Sequence, residues 1–172
     1  ARVTDNAGTL TEVRITFPAA PDPAGQVCEP ALLYGLLSTE SDPASGGGTI
    51  GGNPLDDALW AAPESLALDT TDFVRTGLLP FDHERRMTST IVRGPDGAYL
   101  LIVKGAPEAV LARCLAVPDA AALTLTAQFN AGSRVIAVAS RPAEGLTAPT
   151  AAAEKALRLV GLLGFLDTPT SP

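Results

Sequence analysis

The sequence predicts an α+β fold, a mainly antiparallel twisted sheet flanked by helices. Three observations carry this. Residues 86–93 and 98–103 are strand-like runs joined by the turn-forming sequence GPDG, which predicts a β-hairpin. Helical segments are interspersed with strands, but not in the regular βαβ alternation of a parallel sheet. Two further apolar runs, 134–139 (RVIAVA) and 158–166 (RLVGLLGFL), read as buried strands.

The elements follow in chain order. Residues 1–17 alternate β-branched and polar positions and read as two strands around Gly8. A Pro-rich loop occupies 18–27. Residues 28–38 (CEPALLYGLLS) have apolar residues at helical spacing, with Pro30 in the first turn, where its missing N–H costs nothing. Residues 39–52 contain five glycines and read as a loop. Asn53 caps a short helix, NPLDDALWAA, with Pro54 at its first position. A strand is expected at 73–80, then the hairpin. A helix is expected over 106–115, with Pro107 and Glu108 in its first turn, and another over 120–130. Residues 140–152 read as a Pro/Ala linker before the last strand.

The chain of 172 residues is 46% hydrophobic, enough to bury a core in one domain. Few of those residues are aromatic, so Ala, Val and Leu must fill most of it. The net charge of −7 argues against a nucleic-acid binder, which needs a basic footprint. It leaves room for a small anion held by a few well-placed cations. Cys28 and Cys114 are far apart and show no metal-type spacing, so both read as reduced thiols. No metal site is expected. His83 is the sole histidine, so a Ser-His-Asp triad would have to centre on it, with Thr88 and Ser89 the nearest hydroxyls. No apolar run reaches the roughly 18 residues needed to span a bilayer. The chain stops directly after an apolar strand, which points to a piece of a longer protein.

Four residues on different elements draw attention. Lys104 ends the apolar run YLLIV just before a helix start, and either snorkels to water or faces an anion. Phe81, after Pro80 in a charged stretch, is either a core ring or a platform for a flat ligand. Asp56, on the short capped helix, either complements the helix dipole or accepts a hydrogen bond from a base. Arg134, after a Gly-Ser turn, is either a phosphate-side cation or an ordinary strand-end arginine. Arg85 and Arg86 read on their own as surface charges. An aromatic, a lysine, an arginine and an acid together make the inventory of a stacked-base nucleotide pocket. It is not a P-loop, because GxxxxGK[ST] is absent.

These segments carry a resemblance. KGAPE at 104–108, PFDHERRMTS at 80–89, NPLDDAL at 53–59 and GSRVIAVASR at 132–141 resemble, in order, the signature segments of the nucleotide-binding domain of P-type cation-transporting ATPases. The resemblance implies that Phe81 stacks on adenine, Lys104 lines the base of the pocket, and Asp56 lies near the adenine amino group. It also implies that Arg86 helps line the pocket, Arg134 reaches the phosphates, and Gly105 lets the backbone approach the ligand. TDNAGTLTE at 4–12 resembles the phosphorylation motif, with Asp5 as phosphoryl acceptor, although Asn6 and Ala7 replace its Lys and Thr. GLLGFLDTP at 161–169 resembles the hinge that follows the domain, with Thr168 in place of a proline. The expected organisation is therefore a stub of the phosphorylation domain at 1–12, the nucleotide-binding domain at 13–157, and a returning hinge at 158–172.

The function this implies is ATP binding, with Mg²⁺ accompanying the nucleotide, and delivery of ATP to the acceptor aspartate of a cation pump. The expected partners are the phosphorylation, actuator and transmembrane domains of that pump, and the expected place is the cytoplasmic face of a membrane. The isolated piece is expected to be soluble and monomeric, and to bind ATP without efficient turnover. The later Thr-Gly-Asp and Gly-Asp-Gly-x-Asn-Asp segments of the family do not occur in these residues. The alternative is a regulatory or non-nucleotide-binding interaction module with the same fold.

Overall fold

A computed structural model describes residues 9–18, 29–39, 59, 70–117, 119–130, 134–146 and 148–169. They form a six-stranded, wholly antiparallel sheet in the order β1-β6-β5-β4-β3-β2. The strands are β1 (Thr9–Pro18), β2 (Val74–Asp82), β3 (Met87–Arg93), β4 (Tyr99–Gly105), β5 (Arg134–Pro142) and β6 (Arg158–Pro169). Helices α1 (Glu29–Leu37), α2 (Pro107–Leu111) and α3 (Asp119–Asn130) lie between them. The predicted α+β class is the observed one.

Strands β2 to β6 run as a meander, and β1 returns to pair with β6 from Thr9↔Pro169 to Pro18↔Gly161. The expected β3–β4 hairpin is present, in the register Met87↔Gly105 to Arg93↔Tyr99. Gly97 sits in its turn at φ +82°, a conformation suited to glycine.

Both faces of the central sheet are covered, which explains why YLLIV and RVIAVA are continuously apolar rather than alternating. Leu101 and Val103 point into one core with Met87, Ile91, Val110, Ala137 and Leu157. The intervening Ile102 points into the other, with Leu36, Leu59, Val92, Val138, Leu163 and Phe165. We call these the first and second faces. Leu101, Ile102 and Val103 are fully buried, each contributing about 1.5–3 kcal/mol of apolar transfer.

Helix α1 ends as its sequence suggests. The Ser38 hydroxyl donates to the Tyr34 carbonyl at 2.8 Å and the Thr39 hydroxyl to the Leu36 carbonyl at 3.0 Å, satisfying carbonyls that the last turn leaves open.

Several expected boundaries move. The helix expected over 106–115 stops at Leu111, because Cys114 and its neighbours pair with Leu157 instead. Leu115 N–H donates to the Leu157 carbonyl at 2.8 Å, and Leu157 N–H to the Arg113 carbonyl at 3.0 Å. Strand β5 runs on to Pro142, since Ser140, Arg141 and Pro142 still face Ile102, Leu101 and Leu100 of β4. Within the expected linker, Ala151–Ala153 form a 3₁₀ turn. The expected first strand before Gly8, most of the glycine-rich loop and most of the NPLDDALWAA helix lie outside the described residues. Among the described residues, no helix is long and apolar enough to cross a membrane.

Candidate functional site

The antiparallel register gathers the predicted residues at one end of the sheet. Phe81 lies near the end of β2, Arg86 in the turn before β3, Lys104 and Gly105 at the end of β4, and Arg134 at the start of β5. Gly105 faces Ala137, so Arg134 lies three residues further out, about 10 Å along the strand.

Strand alternation decides which face each side chain takes. Lys104 is paired with Thr88 on β3 and Val138 on β5, which puts it on the second face. It is only 7% exposed, so of the two readings of this lysine, the one that extends its ammonium into open water does not fit; the side chain is largely enclosed by the fold. Arg134 faces Phe165 across β6, also on the second face, and is exposed. Asp82 pairs with Met87 past an irregularity in β2 that contains Phe81, which places Phe81 at the same end of the sheet as Lys104. Phe81 is 43% exposed and meets His83 edge-on, with centroids 5.4 Å apart. An aromatic ring left half in water at the sheet end that carries these cations can serve as a stacking platform.

Arg86 has φ 58°, the left-handed region that a branched-at-Cβ-free but bulky residue enters at a cost of roughly 1 kcal/mol. The turn holds it there. Its N–H donates to the Asp82 carbonyl at 2.6 Å, and its own carbonyl accepts from Ala106 N–H at 3.0 Å. Its side chain is about half exposed and lies 3.6 Å from Glu108 in the first turn of α2. Such an exposed ion pair contributes about 0–1 kcal/mol.

Gly105 has a role inside the fold that the sequence reading did not assign. A Cβ at this position would lie 2.7 Å from Met87 Cα and 2.8 Å from Met87 Cβ, and closer still to the Arg86 carbonyl oxygen. The missing side chain admits the backbone of the β2–β3 turn.

Arg85 is the clearest departure from expectation. Rather than a surface charge, its side chain is 13% exposed and clamps a fully buried Glu154. Arg85 Nε donates to Glu154 Oε1 at 2.7 Å and Nη2 to Oε2 at 3.2 Å. Ser89 Oγ donates to Glu154 Oε2 at 2.5 Å. This engagement on the first face gives Ser89 a structural role in place of the nucleophile of a His83-centred triad. Glu154 escaped the sequence reading; its only signal is an acid set directly after three alanines and just before an apolar strand.

The turn itself is organised by Asp82. Its carboxylate accepts from Glu84 N–H at 2.7 Å and Arg85 N–H at 3.3 Å. These two backbone donors, in that order, hold its pKa below the ordinary 3.8, with smaller pulls from the Arg85 and His83 charges. A depressed carboxyl pKa stabilises the fold fully above the unfolded value, and that contribution fades as pH falls through the folded one. The Asp82 carboxyl should therefore titrate with a midpoint below 3.8 by carbon-detected NMR. A midpoint at or above that value would contradict the capped turn.

Asp5 and Asp56 lie outside the described residues, as does Cys28. Cys114 is a free, half-buried thiol that donates to the Val110 carbonyl at 3.4 Å, and burial pushes its pKa up. A cavity of about 450 Å³, lined in part by Tyr34, Phe73, Tyr99 and Glu144, lies at the other end of the sheet by the β3–β4 turn.

Comparison with known proteins bears on the family of the chain. Residues 27–171 match the family described as P-type ATPase, cytoplasmic domain N. The chain is 30% identical over 159 residues to a calcium-transporting ATPase of Bacillus subtilis, covering 80% of this chain and 18% of that protein. It is 30% identical over 197 residues to a probable cation-transporting ATPase I of Mycobacterium tuberculosis, covering 97% of this chain and 12% of that protein. A sodium/potassium exporting P-type ATPase of Schizosaccharomyces pombe is 29% identical over 153 residues, covering 77% and 14%. The chain thus spans less than a fifth of the length of these relatives. With the match extending over most of its residues, the chain belongs to the family of cytoplasmic N domains of P-type ATPases.

Proposed function

We propose that this chain binds ATP at the sheet end carrying Phe81, Arg86, Lys104, Gly105 and Arg134, and presents it to an acceptor aspartate in a cation-transporting pump. The observation that carries the reading is the convergence of one half-exposed aromatic and three cations at this end of the sheet, with Lys104 and Arg134 on the same face. Concentrated cations at one edge of a chain of net charge −7 suit a polyphosphate.

In this reading Phe81 stacks on adenine, Lys104 forms the floor of the pocket, Arg86 lines it, and Arg134 reaches toward the phosphates. Asp56 accepts from the adenine amino group. Mg²⁺ arrives with the nucleotide phosphates. Asp5, in TDNAGTLTE, is the acceptor. Residues 1–12 and 158–172 then join the nucleotide-binding residues 13–157 to the phosphorylation domain, and the pairing of β1 with β6 supports a two-stranded connection. The other parts of the pump, including its membrane-spanning domain, are the partners, and the domain works on the cytoplasmic side. Phosphoryl transfer depends mainly on positioning and electrostatics, so a domain that only holds and delivers nucleotide is a workable division of labour.

An NMR titration of this chain with ATP, with and without Mg²⁺ and with GTP as control, tests the reading. Shifts should cluster at Phe81, Arg86, Lys104 and Arg134, and be larger for ATP. Lys104→Ala should weaken ATP binding by roughly 1.5–3 kcal/mol, the worth of a charge-assisted hydrogen bond; unchanged affinity would remove Lys104 from the site. No shifts up to ~10 mM ATP, weaker than about −3 kcal/mol of binding, would favour the second reading. That reading is a non-binding or regulatory interaction module, and the loss of Lys and Thr at Asn6 and Ala7 is the feature that speaks for it.

A further inference from the structure

We infer that Glu154 is a positioning residue for the candidate nucleotide site, acting through Arg85 on the turn that carries Phe81 and Arg86. The inference rests on the ATP-binding reading above. Glu154 itself does not face the site. It joins Ser89 and Arg85 on the first face of the sheet, whereas Lys104 occupies the second.

The guanidinium of Arg85 staples both flanks of the turn. Nη2 donates to the Met87 carbonyl at 3.0 Å, and Nη1 approaches the Pro80 carbonyl at 3.5 Å. Pro80 directly precedes Phe81, and Met87 directly follows Arg86. Whatever fixes the guanidinium therefore fixes the chain on either side of the two site residues.

Glu154 is what fixes it. The carboxylate takes the planar fork from two directions, a geometry that lysine could not reproduce. It also accepts from Ser89, which locks its own orientation.

The anchor is itself held by other parts of the fold. Arg141 Nη1 on β5 donates to the Ala153 carbonyl at 3.2 Å, just before Glu154. Just after it, Leu157 pairs with the segment that follows α2. The turn thus takes its position from the body of the domain as well as from its local Asp82 cap. Arg86 in particular depends on this, because its left-handed backbone is not one an unsupported arginine prefers.

Glu154→Gln keeps the shape but loses the charge that orients the fork. Two measurements on the 172-residue chain decide the matter. The first is ¹⁵N relaxation of the Phe81 and Arg86 amides without nucleotide, where the variant should show added motion. The second is ATP affinity by NMR titration, in the unsubstituted chain and in a Phe81→Ala background. If the loosened turn holds its binding geometry about one-fifth of the time, affinity should fall about fivefold. With Phe81 already removed, the further loss should be markedly smaller. A residue that merely stabilised the fold would not show that non-additivity.

Unchanged amides with unchanged affinity would overturn the inference, and so would an equal loss in both backgrounds. If ATP leaves the unsubstituted chain unaltered, the nucleotide reading fails. Loosened Phe81 and Arg86 amides in Glu154→Gln would then still support Glu154 as the holder of the turn, and unaltered amides would overturn that as well. Should Glu154→Gln fail to fold, Arg85→Lys carries the same two measurements, because it keeps the charge and loses the fork.

Discussion

Gly105→Ala is expected to destabilise the chain by about 3 kcal/mol, the upper part of the usual overpacking range. The added methyl would sit 2.7 Å from Met87 Cα and 2.8 Å from Met87 Cβ, with the Arg86 carbonyl oxygen nearer still. Two of these are backbone atoms, and neither can retreat cheaply. Met87 pairs with Gly105 across the β3–β4 ladder, and the Arg86 carbonyl accepts the Ala106 N–H at 3.0 Å. Relief requires breaking that bond or shifting the turn. Against a typical total stability of roughly 5–15 kcal/mol, this loss is large. Urea unfolding followed by circular dichroism would measure it. Near-normal stability with lost ATP binding would instead assign the glycine to the ligand.

Glu154→Ala is the other large expected loss. Removing one partner of a buried ion pair typically costs about 3–5 kcal/mol, because it strands the other charge. The Arg85 side chain is 13% exposed and can recruit some water, so the lower end, about 3 kcal/mol, is expected here. The Ser89 hydroxyl would also lose its acceptor. The double substitution Arg85→Met/Glu154→Leu should recover much of the stability, since apolar side chains of similar size often replace a buried pair at little cost. Urea midpoints for the single and double variants test this. Equal destabilisation in both would mean that packing, rather than the stranded charge, dominates at this position.

Much of the sheet was legible because its signals are local. The β3–β4 hairpin follows from a turn sequence between two apolar runs, and the start of α2 from Pro107 and Glu108. The end of α2 was not legible. Nothing within 106–115 stops a helix; Leu157, distant in sequence, does so by pairing with Cys114. Arg85 was misread for the same reason. Beside Arg86 in a charged run it has the local character of a surface residue, and its partner lies 69 positions away.

The sequence by itself determined the α+β class, the position of most strands along the chain, and the segments that carry the family resemblance. These depend on period, turn chemistry and residue type, all readable over a few neighbouring residues. Only the tertiary structure decided that Lys104 is enclosed and Phe81 half exposed, and that Gly105 makes room for the β2–β3 turn. It alone showed that Glu154 holds Arg85. Burial and pairing depend on which distant segments the register brings together, and the antiparallel meander sets that register only once all its strands are in place.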